Sequence, residues 1–257
     1  MRLVTDKQVA FVNQRPARLP LCSAAAVIVA AVATLAFGQP GTDPPAGGAV
    51  LLEDFQSYKA GGLPTRWEFV GSSRVVEPVS ESLMRDDQYF VVRSEGGRKF
   101  LRSFTRGRAH RLILTNKKSY QWDLNEHPFL EWDWRAMELP KGAREDREEM
   151  NDTGGALYVI FSKDWLGRPR SIKYSYSSTL SVGSVAPYGR LMVLVVASSK
   201  DGMGEWMTVK RNVVADYKSL FGGEPPAEPL SIMVWNDSNT TGTTATVDFD
   251  NIRLRSR

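Results

Sequence analysis

Residues 129–135 read Phe-Leu-Glu-Trp-Asp-Trp-Arg, an apolar residue at every second place. On an extended strand Leu130, Trp132 and Trp134 point one way while Glu131, Asp133 and Arg135 point the other. No 3.6-residue helical period accommodates that spacing, so the segment is a strand with one buried and one charged face.

The same period-two pattern recurs on both sides of it. Upstream, it predicts strands at Val50–Phe55, Trp67–Val70, Tyr89–Arg93, Lys99–Thr105 and Arg111–Thr115. Downstream, it predicts Ala156–Ser162, Ser171–Ser177, Leu191–Ser198, Trp206–Lys210, Leu230–Trp235 and Thr244–Leu254. Turn signals punctuate the runs: Gly61-Gly62, Gly71-Ser72, Gly96-Gly97, Gly154-Gly155, Pro187-Tyr188-Gly189 and Asp201-Gly202. A single helix is predicted at Val213–Phe221, stopped by Gly222-Gly223. Many strands, one helix and no alternation of strand with helix predict an all-β, antiparallel sandwich of the jelly-roll kind. Its terminal strands, Leu51–Phe55 and Val247–Leu254, are expected side by side.

Ahead of this domain, residues 19–37 are almost wholly apolar and follow a leader carrying Arg2, Lys7, Arg15 and Arg18. With Ala36-Phe37-Gly38 as a small-x-small site, residues 1–38 read as a secretory signal, and the globular part is expected to be periplasmic or extracellular. The run is longer than the usual h-region of about 7–15 residues, so an uncleaved membrane anchor is the alternative. The lone cysteine, Cys22, opens the apolar run, whereas lipidation needs it at the end. Cleavage leaves a chain without disulfides, thiolate metal ligands or a cysteine nucleophile. Residues 39–49, rich in Pro and Gly, read as a flexible tether, and 50–257 as the sandwich domain. The chain has 33 Lys and Arg against 29 Asp and Glu; without the leader's four basic residues and one acid, 29 face 28. The excess of positive charge belongs mostly to the leader and gives no reason to expect a nucleic-acid partner.

Several stretches resemble a bacterial family of exported proteins catalogued as domain of unknown function 3047. They are Leu130–Arg135, Asp152–Phe161 (DTGGALYVIF), Ile172–Ser177 (IKYSYS), Gly204–Trp206 with Arg211–Tyr217, Asn236–Thr240 and Phe249–Ile252. The resemblance implies a sandwich domain and no activity. It leads to the expectation of a second acid beside Asp152, where this chain has Thr153. A more distant likeness to galactose-binding-like and other carbohydrate-binding jelly rolls is one of fold.

Five groups of residues are candidates for chemistry. Glu131 and Asp133 sit two apart on one strand face, as paired carboxylates of retaining glycosidases do, but Arg135 stands where a third acid would complete the pattern. The plain alternative is a charged outer face pairing with itself. Among the aromatics, Trp165 and Tyr188 lie in turn-rich segments where a sugar ring could stack, while Trp132, Trp134 and Trp235 read as core. Arg211 and Asp216 flank a helix start that Asn212 caps, and either pair with each other or bind a ligand carboxylate. Asp237 and Asn239, in an Asx-rich turn near Asp248 and Asp250, offer oxygens to a structural calcium or are ordinary hairpin chemistry. The cations between Arg98 and Arg111, with Lys117 and Lys118, either meet an acidic polysaccharide or lipid headgroups or simply guard strand edges.

His110 and His127 lack metal-ligand spacing, and phosphate-loop, dinucleotide and nucleophile-elbow motifs are absent from the sequence. Taken together, the residues predict an exported, non-catalytic sandwich that binds a carbohydrate or other cell-envelope ligand without a cofactor. The alternatives are a glycan-active enzyme using Glu131 and Asp133, or an envelope interaction protein without a small ligand.

Overall fold

The computed structural model describes residues 48–71 and 75–257. The expected leader, and all of the tether except Gly48 and Ala49, lie outside the described residues. Among the described residues, fourteen strands form two stacked sheets. The first contains β1 (Ala49–Glu53), β4 (Gln88–Glu95), β5 (Arg98–Arg106), β7 (Phe129–Glu138), β12 (Met207–Asn212) and β14 (Thr244–Arg255), with a path β12-β7-β14-β5-β4 and β1 paired to β14. The second has eight strands. It contains β2 (Glu68–Val70), β3 (Val76–Pro78), β6 (Ala109–Thr115), β8 (Gly155–Lys163), β9 (Pro169–Ser177), β10 (Val185–Tyr188), β11 (Leu191–Ser198) and β13 (Ser231–Asp237). Their order is β10-β11-β9-β8-β13-β6-β2-β3.

Alternation builds the core. Leu130, Trp132, Trp134 and Ala136 of β7 are buried, as are Val247 and Phe249 of β14 on the same sheet. From the facing sheet come Leu157, Val159 and Phe161 of β8, Tyr174 and Tyr176 of β9, and Ile232 and Val234 of β13. Trp132 meets Tyr174 at 5.5 Å between ring centroids, and Trp134 meets Tyr176 at 5.1 Å. These two contacts cross from one sheet to the other, and truncating either tryptophan costs about 3–5 kcal/mol.

β14 is the axis of the first sheet. β5 pairs with it at Thr244–Phe249, and β1 takes over on that edge at Ile252–Arg255. The handover falls at a bulge around Asn251, whose φ of 49° places it in the left-handed region that Asn tolerates. The first and last strands are thus neighbours, as expected from the sequence.

The helix α1 (Val213–Phe221) begins where Asn212 accepts a hydrogen bond from the Ala215 amide at 3.0 Å, and ends at Gly222 with φ 71°. Its Tyr217 packs against Phe161 at 4.7 Å. Among the described residues, no helix is long and apolar enough to cross a membrane.

Three departures from the sequence reading concern the second sheet. Pro187 and Tyr188, read as a turn, belong to β10, and the turn itself falls at Gly189 (φ 63°) and Arg190. β11 then inserts between β10 and β9 and runs parallel to β9, the one parallel strand pair among the described residues. The short, exposed β3 was not predicted either.

Candidate functional site

The alternation that buries Leu157, Val159, Ile232 and Val234 sends their neighbours to the opposite, outer face of the eight-stranded sheet. There Ala156, Tyr158, Ile160 and Met233 form a second apolar cluster, joined by Ile113, Leu191 and Trp235. Both faces of β8 and β13 are therefore apolar, although only one of them looks into the sandwich.

This second cluster floors an open groove of about 930 Å³. Tyr158 and Trp235 stack on its floor at 5.2 Å and 22°. The Arg111 guanidinium lies 4.5 Å from the Trp235 ring and donates to the carbonyls of Val70 and Gly71. The ammonium of Lys173 approaches both rings, 5.8 Å from Tyr158 and 5.9 Å from Trp235. One wall is Tyr188, Gly189 and Arg190; another is Val70 and Val76; Lys163 and Arg168 from the β8–β9 hairpin edge it as well.

The long connection between β7 and β8 covers another part of the same outer face, over β9. Its Glu145 is buried and accepts hydrogen bonds from Ser175 at 2.5 Å and Ser177 at 2.6 Å, outward-facing residues of β9. Tyr188 locks the segment by donating its hydroxyl to the Glu145 carbonyl at 2.5 Å. Asp152 follows in the same connection and accepts the amides of Thr240 at 2.9 Å and Thr241 at 2.6 Å. Burial raises the pKa of Asp237 to about 6, the negative charge of Asp152 adding to that shift and Lys173 opposing it. Burial lowers the pKa of Lys173, while Asp237, Glu145 and Asp152 oppose that shift by favouring its charge. Lys173 thus lies buried within the field of three acids on this face.

The residues singled out from the sequence are distributed as follows. Tyr188 lines the groove. Trp165 is 88% exposed at a hairpin tip and is not among the groove's lining residues. Asp164 holds that tip through the amides of Leu166 and Arg168. Trp132 and Trp134 are core, whereas Trp235, read with them, faces outward onto the groove. Arg211 and Asp216 pair with each other through two hydrogen bonds, and the Tyr174 hydroxyl donates to Asp216 at 3.0 Å. They close one end of the core rather than present a free cation and acid. Asp237 and Asn239 lie within one turn, where the Asn239 amide donates to Asp237 at 3.4 Å. Calcium prefers about six to eight ionised or carbonyl oxygens. No cluster of three or more acids, histidines or cysteines that could hold a metal ion occurs among the described residues.

Glu131 and Asp133 lie on the outer face of the other sheet. Glu131 pairs with Arg255 at 2.8 Å and Arg253 at 3.5 Å. Asp133 pairs with Arg98 at 2.6 Å and accepts from Thr208 and Asn251. Although burial opposes it, these hydrogen bonds and the nearby Arg98 charge hold the Asp133 carboxyl below its usual range. A glycosidase acid needs the opposite shift. The same face carries Arg98–Asp250 at 2.5 Å, Arg102–Asp248 at 2.7 Å, and Arg135 to Asp248 at 2.6 Å and to Glu95 at 2.7 Å. Trp206 covers the network, with the Arg98 guanidinium 3.7 Å from its ring. The cations between Arg98 and Arg111 are thus mostly spent on neighbouring acids and carbonyls.

Comparison with solved structures finds similar β-sandwiches at low identity. A family 30 carbohydrate-binding module is 13% identical with a TM-score of 0.43, covering 81% of this chain and 88% of that one. The family 30 module of the Clostridium thermocellum cellulosomal cellulase Cel9D-Cel44B is 14% identical, also at 0.43, covering 81% and 98%. The CBM22-1 xylan-binding domain from Paenibacillus barcinonensis Xyn10C is 12% identical at 0.36, covering 83% and 97%. Likenesses this slight carry no argument about a ligand. No curated protein matches the chain. A family model, described as Protein of unknown function (DUF3047), matches residues 80–253, which include both walls of the sandwich, the groove floor and the helix, and the chain belongs to that family.

Proposed function

We propose that this protein is an exported, non-catalytic β-sandwich that binds a carbohydrate chain of the cell envelope in the groove on the outer face of its eight-stranded sheet. The observation that carries the reading is the floor of that groove. Tyr158, Trp235, Met233, Ile113 and Ile160 form an apolar strip, while Ser171, Arg111, Lys163 and Arg190 surround it with hydrogen-bonding groups. A sugar ring has apolar C–H faces and a hydroxyl edge, and such a strip with a polar border matches both. The groove is open rather than enclosed, which suits a chain passing through it. Glu228 is the one carboxylate among its lining residues and is ion-paired with Lys117, so a pair of acids poised for glycoside hydrolysis is not in contact with a ligand there. Export rests on the apolar run at residues 19–37 behind its basic leader.

The test is a glycan array probed with the purified chain, followed by titration of the best ligand against variants. Trp235→Ala and Tyr188→Ala are expected to weaken binding about tenfold or more with unchanged circular dichroism, and Trp165→Ala by less than about twofold. Binding that survives the first two changes but disappears with Trp165→Ala moves the site to the hairpin tip. Failure to retain any glycan removes the reading.

A further inference from the structure

The groove's charge is out of proportion to the rest of the domain. Behind the leader, basic and acidic residues nearly balance, at 29 and 28. The groove nevertheless draws Arg111, Lys117, Lys163, Arg168 and Arg190 to its lining, with Glu228 as the single acid. Glu228 is engaged by Lys117. Just outside the lining, Asp164 is the carboxylate nearest to Arg168 and Arg190, and it cannot neutralise both. Its Oδ1 already accepts two amides, and its Oδ2 accepts Arg168 Nε at 2.8 Å. Arg190 Nε stands 3.9 Å away, beyond hydrogen-bond reach, and finds no acceptor among the described residues. The other sheet shows the contrast, since there Arg98, Arg102 and Arg135 are matched by Asp133, Asp248, Asp250 and Glu95.

From this juxtaposition we infer that the groove selects polyanionic glycans, chains bearing carboxylate or sulfate groups, over neutral ones. The inference rests on the glycan-binding reading above and adds the class of sugar. Arginine's planar fork recognises carboxylate and sulfate through paired hydrogen bonds, and a recess lined by one sign of charge concentrates the opposite sign. The apolar floor would hold ring faces while Arg190, Arg168 and Lys163 meet the charged substituents.

Affinity electrophoresis and calorimetry with the full chain test it, using polygalacturonate against its carboxyl-reduced polymer, and dextran sulfate against dextran. Binding to at least one charged polymer about tenfold or more tighter than to its neutral counterpart is expected, weakening several-fold between about 50 and 300 mM salt. The double variant Lys163→Ala/Arg190→Ala should abolish the preference. Arg93→Ala/Arg106→Ala, which removes the same charge from exposed places on the other sheet, should leave it intact. Equal binding of charged and neutral polymers overturns the inference and leaves the glycan reading standing. A preference that both double variants reduce alike is non-specific attraction and also overturns it. Binding to none of the four polymers counts against both.

Discussion

His110 gives the sharpest test of how the core is built. It lies on the inward face of β6, 2% exposed, its ring stacked on Phe90 at 3.9 Å and 15°. Ser103 Oγ is 3.4 Å from Nε2, while Nδ1 finds no partner among the described residues. Burial without a counter-charge depresses its pKa from 6.5 to about 3. Because the folded pKa lies below the unfolded one, the neutral ring contributes its full stability above about pH 6.5. That contribution is lost as pH falls towards 3, since the unfolded chain binds a proton that the folded chain refuses. At pH 4.5 the loss is about 3 kcal/mol, two pH units at about 1.4 kcal/mol each.

The raw pH profile does not isolate this term. Burial raises Asp237 and Asp250 to about 6, and for them the sign is reversed: their contribution is present below about pH 4 and lost as pH rises to 6. On acidification they offset His110. A comparison of wild type with His110→Phe cancels them, and the larger ring's packing cost of about 1–3 kcal/mol is the same at both pH values. Urea unfolding of both proteins at pH 7.0 and 4.5 is therefore expected to show the variant gaining about 3 kcal/mol on wild type at the lower pH. If the two proteins lose stability in parallel, to within about 0.5 kcal/mol, His110 does not stay neutral in the fold and the reasoning fails.

Two further perturbations probe the packing between and upon the sheets. A Cβ at Gly155 would stand 2.7 Å from Val247 Cγ1, across the sandwich, so Gly155→Ala should cost about 1–3 kcal/mol in thermal or chemical unfolding. Adding Val247→Ala should recover part of that loss, and an additive double variant would show that the contact is not the cause. Asp248 is fully buried and accepts from both Arg102 and Arg135, so Asp248→Asn removes the charge that balances two guanidinium groups. A loss of about 3–5 kcal/mol is expected at neutral pH; one below about 1 kcal/mol would mean that solvent already screens the network.

How far the sequence carries follows from what alternation encodes. A period of two states which residues share a face, so the sandwich and the Trp132 and Trp134 core follow from residues alone, and the neighbouring first and last strands follow only from the jelly-roll fold class. It does not state which strand lies beside which. The parallel pairing of β11 with β9 depends on β10 passing to the outside first, and the Pro187-Tyr188-Gly189 run in which β10 ends has the composition of a turn. Ionic partners are equally invisible, because Arg98 and Asp250 are joined across the first sheet from distant parts of the chain.

The groove occupies the middle ground. Ala156–Phe161 and Ile232–Trp235 are apolar at nearly every position, whereas a strand with one wet face should alternate as Phe129–Arg135 does. That excess is legible in the sequence, and Trp235 differs from Trp132 in sharing its strand face with Met233 and not with the inward Ile232 and Val234. A strand that is apolar on both sides needs a cover on both sides. Here the facing sheet covers one, and the β7–β8 connection covers only the acid-rich end of the other. What remains is the part-exposed strip of Ile113, Leu191 and Trp235 over the buried Tyr158, Ile160 and Met233, bordered by arginine and lysine, and covering it is the driving force any ligand of the groove would draw on.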